Sequence, residues 1–157
     1  MKQLLLAVFF LLGLGQVLSA QDNASETPLW DPRLFIIENH LHQISGGVTI
    51  GAAALTGAAG IAAASGADWS ALPSVHWALA YTTIAAGAAT LALGLTAYSD
   101  RLDKVWPHVL FMGLAETGFI LNAFVLEHGS LPHKITGAAS ITSLGLGLVS
   151  IILITAK

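Results

Sequence analysis

Apolar positions along the chain gather into four long runs, roughly residues 41 to 65, 74 to 98, 105 to 126 and 133 to 156. Each is near the ~20 residues that a helix needs to cross a hydrocarbon core. The connectors SGADWSALP, YSDRLDK and EHGSLP supply the Gly, Pro, Ser and Asp that turns require, and they are short enough to force antiparallel neighbours. The pattern predicts an all-α membrane protein: an up-down four-helix transmembrane bundle forming one domain over residues 40–157. Ahead of it, MKQLLLAVFFLLGLGQVLSA has one lysine, an apolar core and a small-residue exit, the layout of a signal peptide over residues 1–20. With Leu18 near the cut, retention of this segment as an anchor helix stays open. Residues 21–39 then form an extracytoplasmic tail, and PLWDPRLFIIEN mixes aromatics with charge as a segment at the membrane surface does.

Composition agrees with this reading and narrows the chemistry. Hydrophobic residues make up 55% of the chain, charged residues 10%, and mean hydropathy is +0.74, far from a soluble domain. With no cysteine, disulfides, thiolate–zinc sites, iron–sulfur clusters and c-type haem attachment are excluded. The net charge of -3, without a Lys/Arg cluster, gives no basis for a nucleic-acid partner. The lipid bilayer is the expected partner, and the expected location is the cytoplasmic membrane of a bacterium.

The chemistry lies in the histidines. One stands near the start of every run: His42 in HLHQISGG, His76 in PSVHWALA, His108 in VWPHVLFMG and His133 in LPHKITG. Because consecutive helices alternate in direction, His42 can face His108 near one membrane surface, and His76 can face His133 near the other. Imidazoles in a membrane interior are costly unless given a partner, and two such pairs suit two haems b with bis-histidine ligation. At 100° per residue the histidine face also carries Gly46, Ala53 and Gly60 in the first run. In the second it carries Ala80, Thr83, Gly87, Thr90 and Gly94, and in the fourth Gly137, Ser140, Leu144 and Gly147. These small residues predict a slot for a macrocycle, with Gly46, Gly87 and Gly137 as cofactor-binding positions. The third run is bulkier on that face, with Met112 and Phe119 beside Ala115. Small residues also let membrane helices pack closely, so a haem-free bundle is the competing account of the same stripe.

Other polar residues have lesser claims. His40, two positions before His42, points away from it on a helix but remains an alternative first ligand. His128 falls in a connector, where a solvated imidazole is expected. Glu116 is the one carboxylate inside an apolar run, either a proton relay or a neutral acid bonded to a neighbouring Thr or Ser.

In their order, the four histidines and the HKITG segment resemble the four-helix core of the cytochrome b561 superfamily, transmembrane dihaem cytochromes that include ascorbate-dependent and ferric reductases. The resemblance covers about residues 40 to 157. It implies that the first helix pairs with the third and the second with the fourth around two haems. It also implies an electron donor such as quinol or ascorbate, and a redox protein or metal ion as acceptor. Better-known members have six helices and cationic loops suited to ascorbate, whereas this chain has four runs after its leader and few cations.

The function expected is transmembrane electron transfer, alone, as an oligomer or within a larger respiratory complex. A haem-free structural or assembly subunit is the alternative, and a small transporter a third class, against which stands the lack of matched broken helices. Topology signals disagree: a signal peptide places residue 40 outside, with Arg101 and Lys104 then also outside and Lys134 inside, against the positive-inside tendency.

Overall fold

The structure, a computed structural model, describes residues 31–66 and 72–155. The expected signal peptide and the first half of the expected extracytoplasmic tail lie outside the described residues. Those described form five α-helices without a strand: α1 (Pro32–Glu38), α2 (Leu41–Ala64), α3 (Leu72–Ala97), α4 (Leu102–Phe124) and α5 (Leu131–Thr155). A single 3₁₀ turn, Ser99–Arg101, leads into α4.

The short α1 begins on local chemistry. Pro32 occupies its first turn, where no backbone donor is needed, and the Asp31 carboxylate accepts the Arg33 amide at 2.8 Å. It buries Ile36 while leaving Leu34, Phe35 and Ile37 largely exposed, as an interfacial helix does. Arg33 reaches Asp100 at 2.8 Å, which ties α1 to the turn before α4. His40 separates α1 from α2 by taking left-handed backbone angles, φ 53°.

Among the described residues, three helices are long and apolar enough to cross a membrane: Leu41–Ala64, Pro73–Ala97 and Leu131–Thr155. The helix α4 is of similar length but less apolar, because Pro107, His108, Glu116 and Asn122 interrupt its run. Large side chains such as Ile44, Leu55, Ile61, Ile135, Ile152 and Leu153 are exposed, the outward face that lipid would cover.

The long helices pair as two antiparallel hairpins, α2 with α3 and α4 with α5; α3 packs on α4, and α5 on α2. Direction follows from the contacts. His42, at the start of α2, meets Thr90 and Gly94 near the end of α3, while His76, at the start of α3, meets Thr56 and Gly60 near the end of α2. The interior at mid-height consists of Ala53, Met112, Ala115, Phe119 and Leu144, with Ile50, Ile84 and Leu91 against them. Interior hydroxyls are satisfied within their own helices: the buried Thr49, Thr83, Thr90 and Ser140 and the partly buried Thr56 each donate to the carbonyl four residues back, which lets them sit in an apolar interior without an orphaned donor. Two of these pairs also meet across α2 and α3, Thr49 with Thr90 at 3.0 Å and Thr56 with Thr83 at 3.2 Å.

Candidate functional site

Four imidazoles converge in two pairs. The rings of His42 and His108 lie 6.2 Å apart at an interplanar angle of 83°; those of His76 and His133 lie 6.4 Å apart at 56°. A metal–imidazole bond of about 2.0–2.1 Å plus a ring radius of about 1.1 Å sets two collinear axial ligands about 6.3 Å apart, centre to centre. Both pairs match that spacing, and rotation about the common axis leaves the interplanar angle free.

The rings are oriented by backbone. His42 Nδ1 is 3.0 Å from the Thr90 carbonyl, His76 Nδ1 3.2 Å from that of Thr56, and His108 Nδ1 2.8 Å from that of Gly147. When Nδ1–H donates to a carbonyl, the lone pair is left on Nε2, the tautomer that ligates a metal. His133 faces the Asn122 carbonyl, but its buried Nδ1 closes no hydrogen bond. Every one of these carbonyls belongs to the partner helix of the hairpin. Thr56 and Asn122 stand fourteen residues after His42 and His108, and Thr90 and Gly147 fourteen after His76 and His133. The two hairpins therefore repeat one register, and the two pairs sit about 21 Å apart along the helices at 1.5 Å rise per residue.

The histidine face is the buried face. Thr83, Thr90, Ser140, Leu144, Ala53 and Ala115 are all buried, as are Gly87 and Gly147. Space beside the glycines is nevertheless mostly taken by neighbouring helices. A Cβ on Gly87 would collide with the Glu116 carboxylate, and one on Gly94 would stand 2.7 Å from His42 Cε1. Gly46 faces the Thr90 methyl at 3.7 Å, and Gly137 faces Asn122 Nδ2 at 3.0 Å. Of the three expected cofactor glycines, Gly137 borders a cavity, whereas Gly46 faces Thr90 and Gly87 faces Glu116.

That cavity, of 690 Å³, lies at the His76 and His133 end, bordered by Gly60, Trp77, Thr83, Phe119, Asn122 and Gly137 among others. Its volume is in the range of small-molecule and cofactor sites. The end is not a simple pair, however. His128, from the connector between α4 and α5, lies 5.3 Å from His76 and 4.7 Å from His133, ring centre to ring centre. Being nearer to each than they are to one another, its ring stands beside the midpoint between them, where the plane of a macrocycle would pass. His128 is exposed, but it is not simply solvated: it also stacks on Trp77 at 5.2 Å and 26°. The turn that brings it there uses Gly129 at φ 75°, a conformation glycine adopts without strain. A loop residue's approach to a helix-borne pair has no periodic signature, so the connector alone gave no signal of it.

His40 is exposed, away from the interior. Glu116 is 4% exposed and its Oε1 has no hydrogen-bond partner. Asn122, which the sequence does not single out as a site residue, borders the cavity with a buried, unpaired Oδ1. No known protein family, curated protein or solved structure matches this chain.

Proposed function

We propose that the four long helices form an up-down transmembrane bundle that carries electrons across a membrane between two b-type haems, one held by His42 and His108, the other by His76 and His133. What supports the reading is one observation: imidazoles from alternate helices meet at both ends, 6.2 and 6.4 Å apart, the spacing of paired axial ligands. When bound, such a group would supply one-electron chemistry, and its ligation by two histidines would favour electron transfer over oxygen activation. The resemblance to the cytochrome b561 superfamily belongs with this proposal, as do a quinol-class donor and a protein or metal-ion acceptor.

The chain's own residues would hold and orient. The carbonyls of Thr90, Thr56 and Gly147 fix ring direction, and the apolar layer of Met112, Ala115, Phe119 and Leu144 excludes water between the two levels. Glu116 lies between those levels and is the group that would keep a proton there. At the His42 and His108 end the ring spacing suits such a pair, but Gly94 lies against His42 and Gly46 against Thr90, so a macrocycle there requires the helices to part. At the other end the fit requires His128 to swing out of the space between His76 and His133, which its exposed turn permits.

Reduced-minus-oxidised spectra of membranes containing the full chain test this. A b-type signal is expected, about half of it lost in His42→Ala or His108→Ala and the remainder in combination with His76→Ala or His133→Ala. Absence of any such signal rejects the proposal.

A further inference from the structure

The cluster at the cavity mouth has three imidazoles, one more than a haem uses. One ligand nitrogen from each of His76, His128 and His133 can be chosen so that all lie within 4.8 Å of one another. Nitrogens around a tetrahedral ion with bonds of about 2.0–2.1 Å stand about 3.4 Å apart, so small ring rotations close the site. The parts are already braced: His76 is held by the Thr56 carbonyl at 3.2 Å, His128 is stacked on Trp77, and His133 offers a buried nitrogen with no other partner. Carbonyl and packing partners of this kind orient imidazole ligands. Lys134 also borders the cavity but is exposed, and its long stem keeps the ammonium in water.

We propose that His76, His128 and His133 form a binding site for one divalent first-row transition ion of the zinc class, with its fourth position open to the 690 Å³ cavity. Three neutral imidazoles with no thiolate or carboxylate suit zinc, copper, nickel or iron rather than magnesium or calcium, and an open fourth position leaves room for water or a small ligand. The site shares two residues with the haem proposal but does not depend on it. The two occupants exclude each other at this end, because His128 stands where a macrocycle would lie.

The test uses the full chain purified without haem and titrated with Co²⁺, a spectroscopic stand-in for Zn²⁺. One Co²⁺ per chain is expected, with the intense visible bands of four-coordination, displaced by Zn²⁺. His128→Ala should weaken binding by more than the ~10–100-fold that loss of an outer partner costs. His40→Ala, at the opposite end, should leave binding unchanged. His128→Cys should restore it and add a thiolate-to-cobalt charge-transfer band. Unchanged affinity in His128→Ala, or only the pale spectrum of a six-coordinate ion, overturns the site. Haem absorption is scored on a separate haem-loaded sample, so either result can fail while the other stands.

Discussion

At the scale of single residues, one close approach in the interior sets a sharp expectation. Gly87 on α3 lies against the Glu116 carboxylate on α4, with no room for a Cβ. Gly87→Ala must displace a buried side chain, and overpacking of this kind costs about 1–3 kcal/mol. In a Glu116→Ala background the same change should cost little, because the colliding group is gone. Thermal unfolding of the four proteins in detergent measures the coupling, and an undiminished cost in the double variant would contradict the packing described. His40 offers the opposite case. Its left-handed backbone, φ 53°, is unfavourable for a residue with a side chain, so His40→Gly should stabilise by up to about 1 kcal/mol. Haem content should stay at the wild-type level; a fall would make His40 a ligand after all.

At the scale of helices, what the sequence disclosed was what depends on one helix at a time. A period of 3.6 residues placed Thr83, Thr90, Ser140 and Leu144 on the face of their helix's histidine, and that face is buried. Contacts that depend on which helix lies opposite were not legible: Glu116 filling the space at Gly87, Met112 lying 3.0 Å from a Cβ on Gly147, and Asn122 meeting Gly137. The cavity borders the histidine face at the His76 and His133 end. Register within a hairpin can be tested directly, since the chain has no native cysteine. Thr49 and Thr90 meet at 3.0 Å, so Thr49→Cys with Thr90→Cys should form a disulfide. Thr49→Cys with Thr83→Cys should not, because Thr83 lies two turns, about 10 Å, further along α3. With a protease site placed between α2 and α3, cleaved chains should stay joined until reduced in the first pair only.

For the molecule as a whole, the repeated register has a consequence for sidedness. Aligned by their histidines, α2 with α4 and α3 with α5, the two hairpins place Thr56 level with Asn122 and Thr90 level with Gly147 in sequence register. With α2 beside α5 and α3 beside α4, the starts of α2 and α4 lie at one end and the starts of α3 and α5 at the other. The Arg33–Asp100 ion pair at 2.8 Å ties α1 and the turn before α4 to the His42 and His108 end, and His128 and Gly129 cap the opposite end. Whether Asp100 faces outward, as a signal peptide requires, or inward, as Arg101 and Lys104 favour, the two ends must lie on opposite sides if the bundle spans the bilayer. Single cysteines at Glu38 and Asp103 should therefore react with an impermeant maleimide from one side of sealed vesicles, and one at Gly129 only from the other. Labelling of all three from the same side would mean that the hairpins do not cross, and the two histidine pairs would then lie at one surface with no membrane for an electron to traverse between them.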